Sequence, residues 1–498
     1  MSWQRLLEAV KSDYTKLVPI LGLAFFIAFI PHLNYPYAVH IDEWVHIAHS
    51  NSLLDSGTVF YPNSFSGTGS SGLVGLLELG YHLPFAVFHR ISGISWMDIS
   101  MYAPSITFVF TVLSVYIFAR KFGFGWEAAF FTCLIPTTVG IMGPAFMVPV
   151  AMGLMFAIIV LYLAFNFQTF WSYLAICLLI SFTVILHATT AVIIIMLLVP
   201  FIILRMKAEF KHSVFTILAI AIPFLLTLPW TYDLITSQAG SIFVQKPLPA
   251  YHDFLKIITG YGYIPVAFCL FGVFVLTAGG NWKNYGLAGG LLVMAAMLAI
   301  FYTLHYGVSL LYLRGILFTM LIMGIVAGAG LMALRKLELP WLAVTRVNKP
   351  PVIRGLGILL CLIVIGMTLY IAIPDRLDEG YYHMIDDEDY EAFVWIRDNV
   401  GADHRKAILD PWKATPFVAL TEKYVYARTH MTTTAKDNEV YNFIKNGSAD
   451  SSFLRKNGIS VIYTRLGSGR QAVEFESVNP DLIEVKENIY LLKETETH

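Results

Sequence analysis

Charge is what this chain has least of. Only 13% of its 498 residues are Asp, Glu, Lys or Arg, about half of the ~25% usual in a soluble domain. Much of its surface must therefore face something other than water. The few charges also balance, 33 Lys and Arg against 34 Asp and Glu, which excludes the basic footprint of a nucleic-acid binder. Cysteine is equally scarce. Cys133, Cys177, Cys269 and Cys361 all fall in apolar runs without metal-ligand spacing, and they read as small core residues rather than disulfide partners. No internal repeat or low-complexity segment is visible. The first apolar run, Leu17 to Ile30, follows Lys11 and Lys16 and lacks a small-residue cleavage site. It reads as a signal anchor rather than a cleaved leader.

What fills the chain is apolar: 57% of its residues are hydrophobic. Runs near the ~20 residues a membrane helix needs centre on 17–33, 101–119, 126–143, 147–166, 171–186, 188–205, 213–230, 262–278, 284–303, 311–334 and 355–373. The expected fold class is thus a polytopic α-helical membrane protein of about eleven spans. Basic clusters orient them. Arg5, Lys11 and Lys16, Arg120-Lys121, Arg205 to Lys211, Lys283, and Arg335-Lys336 through Arg354 all share one side if the N-terminus is cytoplasmic. Residues 34–100, 231–261 and 374–498 then lie on the outer face of a multi-pass cell-membrane protein. The run Gly72 to Ser92 carries Glu78, His82, His89 and Arg90. It reads as an outer helix lying at the interface, because one more span would reverse every later loop.

The expected division is a membrane domain over 1–374 and an outer, soluble α/β domain over 375–498. In the latter, "DYEAFVWIRDNV" (389–400) and "NEVYNFIKNG" (438–447) have helical spacing, while "KAILD" (406–410) and "VIYT" (461–464) read as short strands. Asn446-Gly447-Ser448 matches a glycosylation sequon by pattern, a tripeptide common by chance.

The chemistry-bearing residues gather just past the first span, in "PHLNYPYAVHIDEWVHIAHSNSLLDSGTVFYPN" (31–63). From Asp42 the pattern turns helical, with Trp44, Ile47, Ala48, Leu53 and Leu54 on one face, and Asp55-Ser56-Gly57 stops it. Two compatible readings exist for Asp42. It caps that helix, accepting orphan N–H groups, or it acts as a general base whose partial desolvation strengthens it. Glu43 beside it would orient an acceptor or stay solvated. His40, His46 and His49 stand close enough in sequence to bind a divalent metal, although no acidic ligand is supplied by a second loop.

An Asp-Glu pair after the first span, a helix, and then "LLDSGTVFYP" resembles the opening of the GT-C superfamily of membrane glycosyltransferases. The pattern is most similar to the branch of aminoarabinose transferases and protein O-mannosyltransferases, which use polyprenyl-phosphate-linked sugars. The outer helix over 73–92 and the span ending in "ARKFG" (119–123) fit that pattern too. "LHATTAV" (186–192) is similar to the His-containing start of a middle span. "YLRGILF" (312–318) is similar to a late span whose Arg contacts the donor phosphate, and "DPWKATPFVALTEKYVYA" (410–427) to a small outer domain. Two features of oligosaccharyltransferases, more distant members, are missing. The loop "GIMGPAFMVPV" (140–150) has no metal-binding carboxylate, and where those enzymes carry a sequon-reading Trp-Trp-Asp motif in the tail, this tail offers only Asp410-Pro411-Trp412.

The resemblance implies an inverting transfer with no required cofactor or metal. A polyprenyl-phosphate-linked sugar is the donor, and a lipid, glycan or protein the acceptor. Asp42 would be the base and Arg314 the donor-phosphate ligand, helped by Lys246. His46, His187 and His305 are accessory candidates. Snorkelling to headgroups is the plain alternative for Arg314 and Lys246, and hydrogen-bonded packing for the histidines. The functional alternatives are a lipid-linked-substrate transporter or flippase, disfavoured by the absence of duplicated halves, an oligosaccharyltransferase-like enzyme, and a non-catalytic scaffold.

Overall fold

A computed structural model of the chain describes residues 13–67, 78–241, 255–337, 351–429, 433–446, 450–467 and 479–493. They fall into two compact units, one drawn from Met1–Asn34 and Met101–Gly380, the other from Tyr35–Ser100 and Tyr381–His498.

The first unit is helical. With the N-terminal part of Trp96–Arg120 counted in, the described residues contain eight helices long and apolar enough to cross a membrane: Tyr14–His32, Trp96–Arg120, Pro149–Asn166, Phe170–Met206, Phe210–Pro229, Trp282–Leu304, Ser309–Lys336 and Gly355–Leu377. Tyr263–Ala278 is apolar but has only 16 residues. Ser309–Lys336 is the hub, with 94% of its apolar window buried, against 22% for Gly355–Leu377. The latter leaves Leu362, Met367, Tyr370 and Ile371 exposed. Such faces are unfavourable in water and natural against lipid, where a helix already satisfies its own backbone. The protein is a multi-pass membrane protein.

Three of the expected spans take other forms. Residues 171–186 and 188–205 join into the single 37-residue helix Phe170–Met206, broken at His187 by extended backbone (φ −168°, ψ 94°). At ~1.5 Å per residue each half is close to one ~30 Å hydrocarbon thickness. The 126–143 stretch is helical only over Gly125–Thr132. Beyond it Pro136 and Pro144 remove donors, and a tight turn places Gly143 where a Cβ would overlap the Pro136 carbonyl oxygen.

In the second unit a five-stranded sheet has the order β2-β1-β3-β5-β4, where β1 is Lys406–Ile408, β2 Tyr424–Val425, β3 Val461–Tyr463, β4 Leu482–Lys486 and β5 Ile489–Leu492. β1 runs parallel to β2 and β3, and β5 is antiparallel to β3 and β4. The helices Ala414–Thr421, Ala435–Lys445 and Ser451–Asn457 lie in the parallel crossovers, as parallel pairing requires. Val440, Phe443, Ile444 and Leu454 cover Ile408, Ile462 and Leu492 to make the core. Helix Asp387–Asn399 begins with a capping box from Asp386 and Asp389. The sequon tripeptide lies partly outside the described residues.

One buried charge in this unit is held by a cluster of ion pairs. Asp389, 1% exposed, receives Lys413 Nζ and the Tyr463 hydroxyl, each at 2.7 Å, and Arg465 Nη1 at 2.9 Å. Arg465 also grips Asp386 with two 2.7 Å bonds. Burial alone would raise the Asp386 pKa, but Arg465 and the Asp389 amide outweigh it and hold the carboxyl below its usual value.

A side chain at Gly272 would meet the Val326 carbonyl oxygen, so Gly272→Leu forces the two helices apart. Overpacking of this kind costs about 1–3 kcal/mol or more, and size-exclusion of detergent-solubilised protein is expected to show loss of the folded monodisperse species. Asp389→Ala leaves Lys413 buried and unpaired, a change worth about 3–5 kcal/mol, and the unfolding transition is expected at clearly lower temperature. The Asp386 contribution has the opposite pH sense to a histidine's. It is present above the ordinary carboxylate pKa near 4 and is lost as pH falls through the depressed folded value, a trend that Arg465→Ala should flatten.

Candidate functional site around Asp42

The helix Ile41–Ser56 starts in an unexpected way. Its N-cap is His40, whose Nδ1 accepts the Asp42 N–H at 3.1 Å. Asp42 is therefore a first-turn residue and not the cap. Cap preferences favour Asp over His, which is why the sequence pointed one residue pair too far along. The box is completed by Glu43, whose Oε2 accepts the N–H groups of Val39 at 2.7 Å and His40 at 2.8 Å. Glu43 is fully buried, so it braces the loop from inside. Trp44, also fully buried, donates its indole N–H to the Ala38 carbonyl at 3.1 Å. Gly57, at φ 62°, ends the helix in the left-handed conformation that glycine alone adopts without strain.

Asp42 is left half-buried, and a cation faces it. Arg428, from the segment after β2, lies over the Phe65 ring at 3.8 Å. Its Nη1 is buried and meets no acceptor among the described residues. Burial pulls the guanidinium pKa down, and the Asp42 charge pushes it back up. Arg428 was not singled out from sequence, since nothing in "YARTH" marks it. Only the fold brings it beside the first loop.

The loop and the chain's last third are tied at many points inside this unit. Tyr35 donates its hydroxyl to the Ile385 carbonyl at 2.8 Å, and Tyr37 to Asp387 at 2.7 Å. Asn51 donates to the Ala419 carbonyl at 2.9 Å and accepts the Trp96 indole N–H at 2.7 Å. The Tyr382 amide bonds to the Val39 carbonyl and the Val425 amide to that of Phe65. The rings of His40, Tyr382 and Trp412 follow one another at 5.5 and 5.3 Å.

The three histidines of the helix go separate ways. His40 caps. His49 is hydrogen-bonded to the Tyr61 hydroxyl at 3.0 Å and the Ser64 hydroxyl at 3.3 Å. Burial, with His46 and Arg428 adding to it, pushes its pKa down to about 3, so it stays neutral near pH 7. His46 turns to the helix Leu79–Ser92, where its Nδ1 is 3.0 Å from His82 Nε2 and 3.7 Å from Glu78 Oε2. The metal-capable group is therefore His46, Glu78 and His82, not His40, His46 and His49. Its acid comes from within the first loop.

The other candidates lie in the helical unit. Arg314 is on the second turn of Ser309–Lys336 and half-buried. His305 is the left-handed C-cap of Trp282–Leu304 (φ 60°). His187 sits at the break in Phe170–Met206, hydrogen-bonded to the Thr190 hydroxyl at 2.8 Å. Lys246 lies outside the described residues.

A multi-pass helical protein with a separate α/β unit is the class these features define. No protein-family model and no curated protein sequence matches the chain, but solved structures do. It is similar to the apo oligosaccharyltransferase of Archaeoglobus fulgidus, with a TM-score of 0.64 and 11% identity over 91% of this chain and 70% of that one. It is similar to ArnT from Cupriavidus metallidurans bound to undecaprenyl phosphate, with a TM-score of 0.55 and 13% identity over 86% and 88% of the two chains. A third likeness is to the mycobacterial arabinofuranosyltransferase AftD, with a TM-score of 0.60 and 12% identity over 96% of this chain and 40% of that one. The chain has the fold of the GT-C membrane glycosyltransferases. At such identities the likeness carries the fold and not the substrate.

Glu43→Ala removes the acceptor of two buried N–H groups, each worth about 1–3 kcal/mol when left unsatisfied. The expected outcome is a melting temperature well below wild type, with Glu43→Gln recovering most of the loss through its remaining carbonyl oxygen.

Proposed function

We propose that the chain is an inverting glycosyltransferase that moves a sugar from a polyprenyl-phosphate donor to an acceptor on the outer face of the membrane. The observation that carries the reading is a half-buried carboxylate, Asp42, held by a braced helix start and faced by the half-buried Arg428, in a chain with the GT-C fold. In the reaction an acceptor hydroxyl or amine attacks the anomeric carbon. The bond from that carbon to the phosphate oxygen breaks with inversion, the acceptor proton passes to Asp42, and polyprenyl phosphate leaves as an anion. Arg428 places a positive charge beside Asp42. Glu43 acts as a positioning residue.

The departing phosphate needs cations or oriented donors. Arg314 is the candidate in the helical unit, because a guanidinium inside an apolar helix is costly, roughly 2.5–3.5 kcal/mol on insertion scales, and calls for a function. Lys246 retains a proposed helper's role on its sequence position alone. His187 and His305, hydrogen-bonded or capping at helix ends, serve better as structural residues than as reactants.

Topology supports an outer-face site. Residues 35–100 and 381–498 share one compact unit, so the first loop and the tail lie on the same side of the bilayer. That demands an even number of crossings between them. Counting both halves of the broken helix and Tyr263–Ala278 leaves an odd number, so this reading requires the stretch 125–148, helical only over Gly125–Thr132, to cross as well. On that reading the chain would have the eleven spans expected from the basic clusters, with the N-terminus cytoplasmic.

The test uses full-length protein in detergent or nanodiscs with a panel of polyprenyl-phosphate sugars. Asp42→Asn is expected to lower transfer about 10²–10⁴-fold, the usual worth of a general base, without weakening the binding of undecaprenyl phosphate. Arg314→Ala is expected to weaken that binding. Transfer by Asp42→Asn at the wild-type rate would remove the base from the mechanism.

A further inference from the structure

We propose that His46, Glu78 and His82 form a binding site for a divalent transition metal of the zinc type. The three donor atoms, His46 Nδ1, a Glu78 carboxylate oxygen and His82 Nε2, all lie within 4.8 Å of one another. Two of the separations are 3.0 and 3.7 Å. A tetrahedral ion with ligands at ~2.0–2.1 Å sets its donors about 3.3–3.4 Å apart, so those two separations need to change by only a few tenths of an ångström, and the third, which is within 4.8 Å, would close onto the ion where it is wider. Two imidazoles and one carboxylate suit zinc and its neighbours. Magnesium and calcium take oxygen ligands.

The site is built in advance. His46 and His82 are buried, at 5% and 0% exposure, and the Glu78 side chain is 20% exposed. The donors come from two packed helices. His46 stands on Ile41–Ser56, while Glu78 occupies the N-cap position of Leu79–Ser92 and accepts the His82 N–H through its carbonyl at 3.0 Å. Glu78 and His82 are thus one turn apart. The rings are held from outside by His49, stacked on His82 at 5.3 Å, and by Tyr81, edge-on to His46 at 5.1 Å. Three protein ligands leave a fourth position for water or an oxyanion, the pattern of open sites rather than closed structural ones.

Position gives the site a second interest. His46 is four residues after Asp42 on one helix, hence on the same face one turn away. The metal does not depend on the sugar-transfer reading, because binding is measured directly.

Full-length, chelator-treated protein in detergent is titrated with Co²⁺ and Zn²⁺. One equivalent should bind, Co²⁺ should show the intense visible bands of a four-coordinate ion, Zn²⁺ should displace it, and excess Mg²⁺ should not. Glu78→Gln and His82→Ala should each weaken binding at least about 10–100-fold, with Glu78→Gln, the partly exposed ligand, deciding if His82→Ala fails to fold. Asp42→Asn should keep the cobalt spectrum. Equal binding by wild type and Glu78→Gln, no binding by wild type, or loss of the spectrum in Asp42→Asn would each overturn the proposal. The first two would leave a hydrogen-bonded His-His pair, and the third would place the ion on Asp42.

Discussion

The arrangement around Asp42 depends on one buried carboxylate beside it. Glu43 is taken wholly out of water, a step that costs several kcal/mol for an unsatisfied ion. It persists because two backbone N–H groups converge on its Oε2 at the positive end of a helix. Successive helical residues point ~100° apart. Fixing Glu43 inward therefore turns Asp42 toward the half-exposed side, where Arg428 stands. Two adjacent carboxylates that look interchangeable in sequence take different tasks: one holds the loop, and the other remains available for chemistry.

The helical unit solves a different problem with the same economy of polar groups. Ser309–Lys336 can be buried almost all round because its surface is apolar or small. Gly272, Gly328 and Gly330 then let neighbouring backbones approach to van der Waals distance, which is how helices associate where lipid offers no hydrophobic drive. Among the described residues, Arg335 of this helix pairs with the fully buried Glu127 at 2.7 Å, at the end that also carries the basic cluster. Charges in this unit are few, and those that occur are paired or sit near helix ends.

How far the sequence could be read follows from the range of each interaction. The apolar runs, the break between 186 and 188, the helix after the first span and the strands at 406 and 461 depend on local period and local breakers, and all were legible. The 126–143 run misled because hydropathy averages over Pro136, Gly143 and Pro144, whose effect is geometric. The cap fell on His40 because capping statistics cannot see that Glu43 reaches back to complete the box. The approach of Arg428 to Asp42 and of His46 to the Glu78–His82 pair were invisible for a simpler reason: each is made by packing between segments that no linear spacing connects. The histidines were noticed, but their grouping was wrong, since residues three apart on a helix diverge once each finds a different neighbour.

That the fold survives at 11–13% identity, with no family model matching, is what a membrane scaffold permits. Leu, Ile, Val and Phe exchange freely on lipid-facing helices, so sequence drifts while helix packing and a handful of polar positions stay. The acceptor is where drift should matter most. In the tail, Asp410 is 1% exposed and accepts the Tyr441 hydroxyl at 2.7 Å, the Trp412 amide at 3.0 Å and the Gly467 amide at 2.9 Å. A carboxylate so fully engaged is a strut for its own domain and has little capacity left to read a peptide. Trp412, by contrast, joins the ring series that leads through Tyr382 to His40, the residue capping the helix of Asp42. Asp410 and Trp412 are thus both engaged inside their own unit, and under the proposed function an acceptor would be chosen by other surfaces of the loop and tail.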